Sequence, residues 1–268
     1  MYNGVALTRF FSLLMLVNNL FPLIAPVAGS GVLTLTTWVG VFIVLGVCGV
    51  LLTVLAIVGL KESLPPEERI ASNFKQLLQG IQTLLGDRQF LAYALSQGIL
   101  IGGLFAYVSG TPFIYQNIYG ASPQIFALLF GLNGLSLIIG SQLVGWLNLI
   151  FSESHFFVFG LLLSVASSLT ALAVILLQGP LLALVLPLFC LVASNGITST
   201  ASFSLALESH NHVAGSASAL LGLLPFLIGA VTSPLVGIAG EYTALPMGLI
   251  ILVSSLLALL AYYGLRKS

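Results

Sequence analysis

Charged side chains are scarce in this sequence. Only 5% of its 268 residues are Asp, Glu, Lys or Arg, whereas 59% are hydrophobic, and the mean hydropathy is +1.15. A water-soluble domain carries charge on roughly a quarter of its residues. The shortage therefore argues against a soluble globular protein, and seven basic residues do not make a nucleic-acid-binding face. Lipid is expected around most of the chain.

Cysteine is equally rare, and catalytic patterns are missing. Cys48 and Cys190 both lie inside apolar runs, so neither a disulfide framework nor a Cys/His metal site is predicted. The segment ESHNH, residues 208–212, is interpreted as a solvated polar turn rather than a metal cluster. The sequence has no paired acid and base, nucleophile elbow or phosphate-binding glycine loop. It therefore predicts no enzyme activity, no cofactor and no bound metal.

Apolar runs long enough to cross a membrane dominate what is present. About 20 helical residues cross the roughly 30 Å hydrocarbon core of a bilayer. The predicted spans are residues 10–30, 38–60, 90–113, 124–150, 156–177, 181–205, 214–238 and 244–265. The predicted fold class is all-α, a polytopic membrane helix bundle of about eight transmembrane helices.

The few basic residues are placed on one side of this predicted bundle. They are Arg9, Lys61, Arg69, Lys75, Arg88, Arg266 and Lys267. Lys and Arg beside membrane spans are retained on the cytoplasmic side. The sequence therefore predicts an integral membrane protein with both termini in the cytoplasm.

One long polar connection divides the chain. Residues 1–60 are predicted to form two spans, residues 61–89 a cytoplasmic loop, and residues 90–268 a six-helix region. Within the loop, hydrophobic residues recur at helical spacing from Ile70 to Leu85, with Lys and Gln between them. This pattern predicts an amphipathic helix, interpreted as an interfacial linker.

Uncharged polar side chains are the candidates for function, because no ionisable residue lies in the middle of a span. The predicted substrate-binding residues are Asn18, Gln97, Tyr107, Asn133 and Asn195. Their amides and hydroxyl can line a cavity for an amphiphilic molecule. The alternative is that they form hydrogen bonds between helices, as Gln142 and Asn19 would also do. The sequence leaves both interpretations open.

Prolines and small residues interrupt the first predicted span. Pro22 and Pro26 each remove a backbone donor and are predicted to kink the helix, while Gly29 lets another helix approach closely. Pro225 interrupts the span at 214–238 in the same way. We interpret these four residues as helix-kink and gating positions, with a static kink as the simpler alternative.

Four local segments, taken in order, resemble the Bcr/CflA branch of drug-resistance transporters in the major facilitator superfamily. They are LMLVNNLFPLIAPVAGS (14–30), KESLPPEER (61–69), SGTPFIYQNIYGASPQIFALLFGLN (109–133) and AGSASALLG (214–222). The resemblance covers essentially the whole chain. It aligns the chain with the fifth to twelfth helices of the family, so that the first four would be missing and the fold incomplete.

The resemblance implies proton-coupled efflux of small amphiphilic drugs or metabolites by alternating access, in the bacterial cytoplasmic (inner) membrane. The expected partners are substrate, protons, the lipid bilayer and the missing N-terminal helices, which in the family carry the coupling groups. The rival hypothesis is a truncated membrane fragment that inserts but does not transport. A membrane-embedded enzyme is a third, which the distribution of charged residues disfavours.

Overall fold

The computed structural model describes residues 5–59, 74–210 and 213–266, and the described chain is folded almost entirely into helices. In chain order these are α1 (Val5–Leu35), α2 (Trp38–Gly59), α3 (Phe74–Gly86), α4 (Arg88–Phe113), α5 (Pro123–Leu147), α6 (Glu153–Leu176), α7 (Leu181–Glu208), α8 (Ala214–Val236) and α9 (Leu245–Leu265). A π-helical segment, Ile114–Ile118, extends α4, and a 3₁₀ turn, Gly237–Ala239, follows α8. The predicted all-α fold class is confirmed.

Seven helices of the described chain are long and apolar enough to cross a membrane. They are α2, α4 with its π-helical extension, and the five helices α5 to α9. The eighth predicted span lies in α1, whose described apolar stretch is Leu7–Leu20. The predicted boundaries of α4 to α9 agree with the observed ones to within about three residues.

Local sequence explains where two of these helices begin. Asp87 precedes α4 and accepts hydrogen bonds from the backbone N–H groups of Gln89 and Phe90, at 2.7 and 3.2 Å. Ser122 accepts one from the N–H of Ile125, and Pro123, which has no N–H to satisfy, occupies the first turn of α5. Such caps satisfy backbone donors that a helix leaves unpaired at its start.

The chain divides into two compact units, one of Met1–Asn19 with Leu78–Ser268 and the other of Leu20–Leu77. The first unit contains the six helices α4 to α9 together with the beginning of α1. Its helices approach closely at glycines: a Cβ atom at Gly102 of α4 would lie 2.3 Å from a methyl group of Ile228 on α8. The sequence-based division at residues 60 and 89 stays a prediction.

The amphipathic helix predicted in the central loop coincides with α3 from Phe74 onward, and Ile70 lies outside the described residues. Leu84 on α3 is fully buried with Phe90, Ala217 and Leu221, whereas Leu85 is exposed. Gly80 of α3 faces the start of α8. The amphipathic helix therefore packs one face against the bundle.

His210 corrects part of the interpretation of residues 208–212 as a solvated turn, because its side chain is buried, and residues 211–212 lie outside the described residues. Its Nε2 atom lies 3.0 Å from Asp87 Oδ2, and its Nδ1 atom lies 3.1 Å from the carbonyl oxygen of Ala206. Both neighbouring oxygens can accept a hydrogen bond from a ring nitrogen that carries a proton. The Asp87 carboxylate, which lies 123 residues earlier in the sequence, contacts this buried histidine. Local residue spacing does not predict such a contact.

Candidate functional site

Two glycines bring α5 and α7 together in the interior of the six-helix region. A Cβ atom at Gly140 would lie 2.1 Å from the carbonyl oxygen of Ala193, and one at Gly196 would lie 2.2 Å from that of Leu137. Backbones can approach this closely only where no side chain intervenes. The crossing positions Asn195, the residue before Gly196, inside the bundle.

Asn133 and Tyr107 form the one direct hydrogen bond between two predicted site residues in the part of the chain that the structure describes. The Asn133 Nδ2 group donates to Tyr107 Oη at 3.0 Å, and both side chains are buried. The Tyr107 ring lies parallel to that of Phe130, with 5.9 Å between ring centroids. Asn133 Oδ1 is buried without a hydrogen-bond partner. An apolar wall therefore adjoins an available acceptor.

In the Asn195 side chain, as in that of Asn133, the donor group is hydrogen-bonded and the acceptor oxygen is not. Its Nδ2 group donates to the carbonyl oxygen of Leu191 at 3.0 Å, one turn earlier on α7. Its Oδ1 atom is buried and has no partner among the described residues. The donor half of this amide is thus satisfied within its own helix, and the acceptor half is left facing the interior.

Gln97 on α4 is the third buried amide with an unpaired oxygen, Oε1. A hydrogen bond from Ser202 Oγ to the carbonyl oxygen of Tyr93, at 3.3 Å, fixes the register of α7 against antiparallel α4. One turn along both helices, Gln97 therefore lies at the level of Thr198. This places Gln97 and Asn195 within roughly one helical turn in depth.

Sequence reasoning missed two polar groups in this region. Ser96 Oγ and Thr200 Oγ1 are buried and have no partner among the described residues. Several buried serines and threonines bond to a carbonyl three or four residues earlier, as Ser194 and Thr198 do. Nothing in the local sequence of Ser96 or Thr200 distinguishes them from those, so only packing identifies them.

Four of the remaining predicted positions lie on α1. Asn18 is exposed on α1. The assigned helix α1 continues through Pro22 and Pro26, so the kink stays a prediction. A Cβ atom at Gly29 would meet no atom within 4 Å, and the approach of another helix at Gly29 stays a prediction.

Pro225 is buried in α8 at its contact with α4. A Cβ atom at Gly98 would lie 2.9 Å from the Leu224 side chain and 3.6 Å from the Pro225 nitrogen. Because proline carries no N–H, the carbonyl oxygen of Leu221, four residues earlier, lacks its usual donor within the helix. One turn further, Thr232 Oγ1 donates to the carbonyl oxygen of Gly102 at 2.6 Å. Pro225 therefore lies at a close contact between α8 and α4, and its role in kinking and gating stays a prediction.

A separate pocket of about 440 Å³ opens at the end of the bundle where α4 ends and α9 begins. Its lining includes Tyr119, Tyr242 and Leu245, and none of the five predicted substrate-binding residues. Tyr119 Oη donates to the carbonyl oxygen of Gly179 at 3.0 Å, and burial raises the pKa of this phenol. The buried amides and this pocket are therefore distinct features.

The interior amides offer hydrogen-bond acceptors rather than charges. An unpaired buried polar atom costs about 1–3 kcal/mol, which a ligand or water donating to it would recover. Among the described residues, no group of three or more His, Cys, Asp or Glu side chains is placed to hold a metal. Binding of a neutral or donor-bearing molecule is the chemistry that these residues support.

Comparison with known proteins shows which family the chain is similar to. Residues 1–234 match the Major Facilitator Superfamily. The chain is 44% identical over 268 residues to the "Uncharacterized MFS-type transporter YdgK" of Bacillus subtilis (strain 168), covering 99% of this chain and 66% of that protein. It is 26% identical over 261 residues to the "Bicyclomycin resistance protein homolog" of Haemophilus influenzae, covering 97% of this chain and 66% of that protein.

This chain thus spans just under two thirds of the length of each of these two relatives. The family match covers most of the chain, and the more similar relative is aligned over nearly all of it. The sequence match, the apolar helices and the all-helical architecture agree with one another. The chain belongs to the Major Facilitator Superfamily.

Proposed function

We propose that this chain takes part in moving small amphiphilic molecules out of the cell by alternating access, with protons as the coupling ion. The observation that carries the proposal is the set of buried amide oxygens without partners on Gln97, Asn133 and Asn195. Native proteins pair most buried polar atoms. Unpaired acceptors buried inside a membrane transporter fold support a substrate-binding role for these three residues.

The chemistry of these residues defines the class of substrate. Carbonyl oxygens of amides only accept hydrogen bonds, so a matching ligand carries hydroxyl, amide or ammonium donors. The stacked rings of Tyr107 and Phe130 add an apolar wall beside Asn133. A small molecule with an apolar body and several donors fits this combination.

Three further parts of the proposal rest on the family and on charge distribution. The Haemophilus relative supports assignment to the Bcr/CflA branch, and its description as a bicyclomycin resistance protein homolog supports drug efflux. The Bacillus relative supports a bacterial cytoplasmic membrane. The basic residues beside the spans support cytoplasmic termini. Proton coupling is assigned to groups in the four preceding helices that the resemblance implies.

Transport in reconstituted vesicles tests this function. The chain would be inserted into proteoliposomes with an imposed pH gradient, and the movement of radiolabelled bicyclomycin would be followed. We expect gradient-dependent movement, which Asn133→Leu and Asn195→Leu each slow by about tenfold, equivalent to about 1.4 kcal/mol. Thr170→Val is the matched control, because Thr170 is exposed on α6 and bonds only to its own helix. Unchanged transport in both asparagine variants would remove these residues from the site.

The second candidate is a membrane fragment that inserts without transporting. It is favoured by the many exposed apolar side chains of α2 and by the 66% coverage of both relatives. The same assay separates the two candidates when it is repeated with the four preceding helices co-expressed. Movement only in the co-expressed sample would assign transport to the assembled protein, and movement in both samples would assign it to this chain.

A further inference from the structure

The beginning of α1 meets the six-helix region through side-chain hydrogen bonds at one end of the bundle. Thr8 Oγ1 donates to Glu153 Oε1 in the first turn of α6 and lies 2.8 Å from Ser204 Oγ near the end of α7. Thr8 and Ser204 are both fully buried. Three helices are therefore connected through one threonine hydroxyl.

The hydrogen bonds that join Ser204, Thr8 and Glu153 all run in one direction. A hydroxyl group has one hydrogen, and an ionised carboxylate only accepts. Because Thr8 donates to Glu153, the hydrogen between Thr8 and Ser204 comes from Ser204. The Glu153 charge also lies at the N-terminus of α6, where the helix dipole favours it. Ser204 thus donates to Thr8, and Thr8 donates to the Glu153 carboxylate.

A second contact lies one turn further along α1. Ser12 Oγ donates to Gln142 Oε1 at 3.2 Å, and Gln142 Nε2 donates to the Ser12 carbonyl oxygen at 2.8 Å. A Cβ atom at Gly145 would lie only 2.2 Å from Ser12 Oγ, so α5 leaves room for this pair. We call Thr8, Ser12, Gln142, Glu153 and Ser204 the inner seam.

The inner seam differs in kind from the contacts inside the six-helix region. There, Gly140 and Gly196 bring backbone against backbone, and water cannot replace lost van der Waals contact. In the seam the contacts are hydrogen bonds between polar side chains, which water can replace at little net cost. The seam is therefore the part of this unit that can open.

We propose that the Ser204–Thr8–Glu153 chain is a latch that closes this end of the transporter between α1 and α6–α7. The proposal rests on the proposed transport function, because alternating access requires an interface that seals and then opens. The seam lies at the end where α4 begins at Arg88 and α9 ends beside Arg266. The positive-inside rule makes that end cytoplasmic.

Labelling of a buried cysteine measures opening without any need for transport. Met15 lies on the same face of α1, one turn beyond Ser12, and is buried. The probe is a membrane-impermeant maleimide acting on Met15→Cys in a background with Cys48→Ala and Cys190→Ala, in lipid nanodiscs. We expect Thr8→Val and Glu153→Leu each to raise the labelling rate about fivefold, as loss of one hydrogen bond implies.

Conservative variants distinguish a latch from general disruption. Thr8→Ser keeps the hydroxyl, and Glu153→Gln keeps an oxygen that accepts from Thr8, so both should label at close to the starting rate. If Glu153→Gln labels as fast as Glu153→Leu, or if neither Thr8→Val nor Glu153→Leu changes the rate, the latch is refuted. These results do not depend on whether the chain transports.

A cross-link tests whether opening is needed for transport. The pair Thr8→Cys and Ser204→Cys, in the same cysteine-free background, places two thiols where hydroxyl oxygens are 2.8 Å apart. We expect oxidation to close a disulfide and to stop bicyclomycin movement, and reduction to restore it. Continued movement with the disulfide fully formed, or failure of the disulfide to form, would overturn the latch. Absence of movement in the unaltered chain would count against the proposed function alone.

Discussion

The helices α2 and α7 show opposite distributions of polarity and burial. The most apolar 18-residue stretch of α2 has a mean hydropathy of 3.1 and contains no buried residue, whereas that of α7 has a mean hydropathy of 2.1 and 61% of its residues are buried. The buried residues of α7 include Ser194, Asn195, Thr198, Thr200 and Ser202. In a membrane, strong hydrophobicity marks a surface suited to lipid, and small polar residues mark contacts between helices.

The largest expected effect comes from filling the close crossing of α7. Gly196→Ala forces a methyl group against the backbone of α5, 2.2 Å from the Leu137 oxygen and 2.9 Å from the Ser141 nitrogen. We expect the free energy of unfolding to fall by about 3 kcal/mol, as overpacking does. Titration with SDS of protein in mixed micelles measures this change.

Gly49→Ala on α2 is the matched control, because a Cβ atom there meets no atom within 4 Å. Alanine favours a helix over glycine by about 1 kcal/mol, so this variant should unfold no more easily than the starting protein. If Gly49→Ala and Gly196→Ala lower the free energy of unfolding equally, the distinction between an exposed α2 and a buried α7 is refuted.

A smaller effect is expected at the junction of α4 with the end of α7. Asp87 caps α4 and also contacts His210, which follows α7. Asp87→Ala removes the cap and should lower the free energy of unfolding by about 1 kcal/mol. Asp87→Asn keeps a capping oxygen and should lose less. If both variants lose the same amount in the same titration, capping is not what Asp87 contributes.

The pH dependence of the Asp87 contribution follows from its pKa. Burial alone would raise the pKa of this carboxyl, but hydrogen bonds from the N–H groups of Phe90 and Gln89 and from His210 hold it below its ordinary value of 3.8. A lowered folded pKa means stability that is present above the ordinary value and is lost as the pH falls through the lower folded one.

Melting temperatures in detergent at about pH 6 and about pH 3 measure this dependence. We expect the unaltered chain to lose more stability on acidification than Asp87→Asn, which has no carboxyl to protonate. The difference should be modest because Asp87 is 37% exposed. An equal loss in both proteins would show that Asp87 carries no such dependence.

The smallest expected effect concerns polar pairs between buried helices. Ser164 Oγ on α6 lies 2.8 Å from Ser255 Oγ on α9, and Ser255 donates to the Ile251 carbonyl oxygen, so Ser164 supplies the shared hydrogen. A double-mutant cycle with Ser164→Ala and Ser255→Ala should give a coupling free energy of about 0.6 kcal/mol.

Thr53→Ala on α2 provides the comparison for this pair. Thr53 Oγ1 donates to the carbonyl oxygen of Gly49 in its own helix, so its loss should leave stability almost unchanged. A coupling free energy of zero between Ser164 and Ser255 would mean that this buried hydroxyl pair stabilises the protein no more than the local hydrogen bond of Thr53 does.

Sequence patterns were sufficient to predict the helices but only part of the site. Apolar runs identify α2 and α4–α9 because the length and composition of a membrane helix follow from bilayer thickness. The buried amides at Gln97, Asn133 and Asn195 were among the predicted site residues, since an amide inside a span is conspicuous by type alone. Their role in binding substrate stays a prediction.

The sequence did not predict which side chains on different helices form hydrogen bonds with each other. The pairing of Asn133 with Tyr107 joins residues 26 positions apart, and that of Thr8 with Glu153 joins residues 145 apart. Local spacing carries no information about which faces of two helices meet. The same limit explains why His210 was predicted to be solvated and why Ser96 and Thr200 were missed.

The sequence by itself determined that this chain forms membrane-spanning helices, because the cost of exposing apolar side chains to water and unpaired backbone to lipid depends only on composition and length. The tertiary structure decided which polar atoms are paired. Glycine crossings and helix register bring Ser12 to Gln142 and leave the oxygen of Asn195 unpaired, and such contacts depend on how whole helices pack.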